Sequence, residues 1–112
     1  MPFAHNQGLR IYWDEQGQGP ALLLIAGIGC PSQIWSGFRP SLAAQNRTIA
    51  LDNRGTGRSD VPPDPYSIAA MAPDAVAVLD AAGIRAAHVF GVSMGGMIAQ
   101  EFALQYPSRV QR

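Results

Sequence analysis

The 112-residue sequence contains no lysine, one cysteine and no apolar run longer than Ala21–Ala26. Each scarcity removes a class of function. Without lysine there is no Walker-type phosphate loop. The arginines that carry all the positive charge balance the eight acidic residues and form no basic stripe, so no nucleic-acid partner is expected. Cys30 has no second cysteine for an internal disulfide, which fits a reducing, cytoplasmic setting. The six apolar residues of Ala21–Ala26 are far too few to span a bilayer, and the first residues show no charged stretch leading into an apolar core. No membrane partner, no secretory signal, no metal and no cofactor are therefore expected.

What remains is an ordinary globular composition, 47% hydrophobic and 14% charged, long enough for one domain with a real core. Leu9, Ile11 and Trp13 alternate with polar neighbours, and the turn residues Asn6-Gln7-Gly8 precede them. This predicts an antiparallel hairpin with the strand around Phe3–His5. Ala21–Ala26 is apolar without alternation, as a parallel strand covered on both faces reads, and Arg47–Leu51 is the next buried strand. A short helix is expected over Ser41–Gln45 after Pro40. The main helix is expected over Pro73–Ala82, with Ser67 capping an earlier turn and a restart or kink at Pro73. Gly83 sits where a helix end takes a left-handed residue. A third strand over Ala87–Val92 leads into a helix from Ser93 to Tyr106, stopped by Pro107. Strands alternating with helices predict an α/β fold, three layers deep around a mostly parallel sheet.

The chemistry-bearing motif is Gly91-Val92-Ser93-Met94-Gly95, lying between that strand and that helix. A Gly-x-Ser-x-Gly in this setting places a strained serine on a sharp turn with its oxygen exposed above the sheet edge. Gly91 and Gly95 leave room for neighbouring backbone, and the Met94 N–H points with the helix N-terminus toward a developing oxyanion. Two other punctuated turns, Gly27–Pro31 and Asp52–Asp60, fall at the carboxyl ends of the other parallel strands, where such sheets bind ligands.

Three segments carry a family resemblance: Leu23-Leu24-Ile25-Ala26-Gly27-Ile28-Gly29, Asp52-Asn53-Arg54-Gly55-Thr56-Gly57-Arg58-Ser59, and Gly91-Val92-Ser93-Met94-Gly95-Gly96-Met97-Ile98-Ala99-Gln100. In order and separation they resemble the N-terminal half of an α/β-hydrolase-fold protein, of the kind found among small esterases, enol-lactonases and cofactor-free haloperoxidase-like members. The resemblance implies a nucleophile at Ser93. It places one oxyanion donor on the Met94 N–H and the other on the backbone of Ile28, with Gly29 the lesser choice. Gly27, Gly29 and Trp35 would contact a small ester or lactone substrate. Many members carry histidine where this chain has Ala26, so loop hydrogen bonds from that side chain are missing. The Asp52–Ser59 loop is read as structural, with Arg54 tying loops together.

In the family the triad acid and histidine follow the serine. Here only Glu101 is acidic after Ser93 and no histidine follows; His88 lies on the strand before the turn and His5 in the hairpin. Residues 1–112 are thus expected to form a single partial domain, a truncated α/β-hydrolase fold ending after the elbow helix. It would lack the later strands, cap, acid and histidine, and be inefficient alone. The outer edge of strand 87–92 is expected to be bare and to invite self-association. Two other readings stand beside this one. A non-catalytic binding module would keep the pocket without chemistry. A Rossmann-type nucleotide binder is disfavoured by glycine spacing.

Overall fold

The computed structural model describes residues 3–27, 29–63 and 66–111. Strand β1 (Phe3–Asn6) pairs antiparallel with β2 (Leu9–Gln16), Phe3 opposite Tyr12 and Asn6 opposite Leu9. The connection turns through positive φ at both Gln7 and Gly8, the two-residue geometry whose twist matches that of a hairpin. Strand β3 (Ala21–Ile25) lies between β4 (Arg47–Leu51) and β5 (His88–Gly91), parallel to both, while β2 joins the outer edge of β4 antiparallel. The sheet order is β1-β2-β4-β3-β5. The fold is therefore α/β with a mixed sheet, in which the adjacent strands β4, β3 and β5 are mutually parallel.

Why β3 reads apolar throughout is now visible. Leu23 and Ile25 join a core with helices α2 (Ile68–Ala81) and α3 (Met94–Gln105), through Met71, Ala75, Val78, Ile98 and Phe102. Leu24 and Ala26 face the opposite side and pack with Trp35 and Ala50, beneath the short helix α1 (Arg39–Ala43). A strand covered on both faces has no position at which a polar side chain is solvated. The short helix starts two residues before the expected Ser41, because Pro40 is accommodated in its first turn.

The main helix corrects an expectation. It runs unbroken from Ile68 to Ala81 with Pro73 inside it, rather than starting at Pro73. Ser67 caps it, its hydroxyl accepting from the Ala70 N–H at 3.1 Å. Pro73 has no N–H to give the Ala69 carbonyl one turn back. That carbonyl accepts instead from the Gln105 side-chain amide of α3, at 3.2 Å. Tertiary structure thus supplies the bond the sequence removes. At the other end, Gly83 (φ 73°) donates to Asp80 and Ile84 donates to Leu79, the paired bonds of a glycine-terminated helix.

Strand β5 is shorter than expected, and its outer edge is not wholly bare. Ala87 forms an isolated parallel bridge with Val110: its N–H donates to Arg109 (3.0 Å) and its carbonyl accepts from Gln111 (2.8 Å). By the alternation of a strand, Val89 and Gly91 present the next outward-facing backbone groups.

Candidate active site

Ser93 stands at the junction of β5 and α3 with φ 58° and ψ −120°, a backbone conformation that non-glycine residues rarely hold. Among the described residues only Gln7 shares a positive φ without being glycine. Such a residue costs on the order of 1–3 kcal/mol, so the surrounding structure must enforce it. It does. The Val92 N–H just before the turn is still held to β3, donating to the Ile25 carbonyl at 3.2 Å. Immediately after the turn, Gly95 donates to Val92 and Gly96 to Ser93, both at 2.9 Å, so the helix begins without a linker. Ser93 itself is exposed.

The two flanking glycines are required by close approach. A methyl on Gly91 would overlap the Gly95 carbonyl, and one on Gly95 would overlap the carbonyl of Ile25. Helix α3 rests backbone to backbone on the sheet, and this contact sets the sharpness of the turn.

The loop after β3 meets Ser93 directly. A Cβ built on Gly27 would stand 3.4 Å from the Ser93 Cβ and 3.9 Å from its Oγ. Gly29 follows with φ 68° and open space around its α-carbon. Ile28, expected as an oxyanion donor, lies outside the described residues. The Met94 N–H opens α3 and donates to no backbone carbonyl of the described residues, whereas Gly95, Gly96 and Met97 donate back into the turn. Gly27, Ser93 and Met94 are therefore brought together, with Gly29 two residues beyond Gly27.

Trp35 is not. It is 1% exposed, sealed in the core on the α1 side of the sheet with its ring edge-on to Phe38 and Phe90. The ring packs against Leu24 and Ala26 rather than facing open space, because the turn at Ser32–Trp35 folds it inward. His88 pairs in register with Leu22 at the opposite end of β5 from Ser93, and His5 is exposed on β1. Among the described residues, no histidine or carboxylate is hydrogen-bonded to the Ser93 hydroxyl.

Two further residues shape the site. Asp52, fully buried, accepts from the Ser32 N–H at 2.6 Å and from the Arg58 N–H at 2.9 Å. Asn53, 3% exposed, donates its side-chain amide to the Ala26 carbonyl at 3.0 Å. Together they grip both ends of the loop containing Gly27 and Gly29, from the neighbouring strand end. The signal in the sequence was two polar residues directly after an apolar buried strand, where solvated side chains have no room. Next to them Arg54 forms a two-pronged ion pair with buried Asp74 (2.7 and 2.9 Å) and also donates to the Ala70 carbonyl. The Asp74 hydrogen bond raises the Arg54 pKa still further. Asn6 of β1 donates to the same carboxylate at 2.8 Å.

A parallel three-strand core flanked by helices, with two loops and a strained serine gathered at the carboxyl ends of its strands, defines an α/β protein organised around a strand–serine–helix turn. The family model for the alpha/beta hydrolase fold matches residues 20–112. The chain belongs to the α/β-hydrolase fold family.

Its relatives agree. A protein of Azorhizobium caulinodans, provisionally named carbamate hydrolase RutD, is 43% identical over 111 residues, covering 99% of this chain and 42% of the relative. Among solved structures, the N-acyl homoserine lactone degrading enzyme Est816 superposes with TM-score 0.93 at 40% identity, over 97% of this chain and 42% of that one. The enol-lactonase of Burkholderia xenovorans superposes with TM-score 0.94 at 27% identity, over 99% of this chain and 44% of that one. The chain thus spans well under half the length of these relatives. Among the described residues no helix is long and apolar enough to cross a membrane.

Proposed function

We propose that the chain carries the nucleophile and oxyanion donors of a serine-dependent hydrolase acting on small esters or lactones. The observation that supports this best is the enforced positive φ of Ser93, with Gly27 against its side chain and the Met94 N–H free beside it. In this reading the Ser93 Oγ attacks the substrate carbonyl carbon and gives its proton to a base. The C–O bond to serine forms, and the carbonyl oxygen becomes an oxyanion facing the Met94 N–H. Collapse expels the alcohol or the lactone ring oxygen, and water then releases the acyl group. The relatives' names, which speak of carbamate, acyl homoserine lactone and enol-lactone, fit a small carbonyl substrate.

No base faces Ser93 among the described residues, so residues 1–112 by themselves form a partial domain that turns over slowly. An oxyanion hole and binding alone leave about 10³-fold over water. This same lack favours a second reading, a hydrolase-like module that binds without chemistry. One experiment separates the two. The chain is treated with a fluorophosphonate, with and without imidazole as an added base, and the modified peptide is mapped. The nucleophile reading expects modification at Ser93, faster with imidazole and abolished in Ser93→Ala. Modification spread evenly over other serines, or none, would leave the binding module as the better account. We also propose that the outward backbone of Val89 and Gly91 pairs with a second copy when nothing else covers it, so concentration-dependent mass in sedimentation would fall in Val89→Pro.

A further inference from the structure

Beside Met94, on the β4 side of the turn, lies a cavity of about 360 Å³, walled by Gly29, Tyr66, Ile68, Met71 and Met94, with Arg54 at its edge. We infer that this cavity receives an unbranched aliphatic acyl chain, and that Ile68, Met71 and Tyr66 set which chain lengths fit. Four observations carry the inference.

First, the cavity touches the turn itself. Met94 gives its N–H at the helix start and its side chain to the cavity wall, and Gly29 belongs to the loop that abuts Ser93. A carbonyl held at that N–H has its substituent at the cavity mouth. Second, among the described residues the wall offers no free charge. Arg54 is committed to Asp74 and to the Ala70 carbonyl, and no described histidine, cysteine or carboxylate lines the space. An apolar substituent loses only water there. Third, Met71, Met94, Ile68 and Tyr66 are the large apolar members of a lining that also includes Thr56 and Ser67. Thioether side chains adapt to ligands of differing length, which suits a flexible chain better than a rigid ring. Fourth, the volume holds roughly a dozen waters, more than an acetyl group needs. Trp35, the sequence-based candidate for this role, is sealed on the other face of the sheet.

The assignment of an acyl substituent rests on reading Ser93 as the acylated residue; the binding itself does not, and the test uses that difference. The chain is labelled with ¹³C at its methionine methyls and titrated with acetate, butanoate, hexanoate and octanoate. Met71 and Met94 should shift saturably. Affinity should rise up to about fourfold per added methylene until the space is filled. Exposed Met97, on the same helix but outside the cavity, should not move. Ile68→Trp, at a half-buried position, should weaken hexanoate at least tenfold, and Met97→Leu, outside the cavity, should leave it unchanged. Parallel, non-saturating shifts of all three methionines, or no dependence on chain length, would overturn the inference, and the wild-type titration decides this even if the variant does not fold. If the cavity fills but Ser93 resists the fluorophosphonate, the nucleophile reading fails. The site is then a receptor for free aliphatic acids, and the acyl assignment falls with it. If Ser93 is modified but hexanoate does not bind, only the present inference fails.

Discussion

Gly95 lies so close to Ile25 that a single methyl group on it would overlap the Ile25 carbonyl oxygen. This contact between the first turn of α3 and the end of β3 holds the helix against the sheet. It leaves Ser93 no room to relax out of its left-handed conformation.

The neighbouring glycine gives the contrast. Gly96 points away, and a Cβ there would find its nearest neighbour, the Gly91 carbonyl oxygen, at 3.5 Å, an ordinary contact. Gly95→Ala should therefore destabilise by about 1–3 kcal/mol or more through overpacking. Gly96→Ala should stabilise by about 0.5–1 kcal/mol through helix propensity. Urea midpoints of the two variants check the opposite signs, and equal midpoints would remove the close-packing account of the motif.

Ser93→Gly should abolish modification by fluorophosphonate while raising stability by about 1 kcal/mol, because glycine carries no penalty at φ 58°. A loss of stability in this variant would show that the serine is not strained.

Asn53→Ala leaves the buried Ala26 carbonyl without its donor, and should cost about 1–3 kcal/mol. If the bond positions the loop as well as stabilising it, amide exchange should accelerate at residues 27–32 more than in α2 or α3. Uniform acceleration across the chain would mark the residue as purely structural.

Removing one half of the Arg54–Asp74 pair should be severe. Asp74→Ala strands a guanidinium and the Asn6 amide, at a cost of about 3–5 kcal/mol. The double variant Arg54→Met with Asp74→Leu should recover most of that, which thermal or denaturant unfolding would reveal. Failure to recover would mean that the pair also organises the loop.

The Glu15–Arg47 pair provides a pH test. Its hydrogen bond holds the Glu15 carboxyl below the usual glutamate range. A depressed folded-state pKa adds stability above the ordinary glutamate value, and that stability is lost as pH falls through the lowered one. Both side chains are substantially exposed, so Glu15→Gln should cost no more than about 1 kcal/mol at pH 7 and nothing at pH 2. A cost that persists at pH 2 would assign the effect to packing.

Much of the architecture was legible in sequence because it rests on local rules. The hairpin turn at Gln7-Gly8, the doubly covered strand of Leu22–Ile25, the Gly83 helix stop and the strand–serine–helix order each follow from residues a few positions apart. The helix through Pro73 was not legible, since the bond that satisfies the Ala69 carbonyl comes from Gln105, thirty-six positions beyond Ala69. The burial of Trp35 was not legible for a similar reason. A large aromatic near a glycine loop suits a pocket wall or a core equally well, and only the fold of the Ser32–Trp35 turn settles which.

The sequence by itself determined that a serine would sit between an apolar strand and a helix with glycines on either side, because steric fit at a sharp turn admits few other residues. Only the tertiary structure decided what stands around it: the Gly27 loop against its side chain, Asp52 and Asn53 bracing that loop from β4, and the cavity beside Met94. Those are contacts between segments distant in the chain. Spacing along one strand or helix carries no record of which neighbour the sheet order will bring alongside.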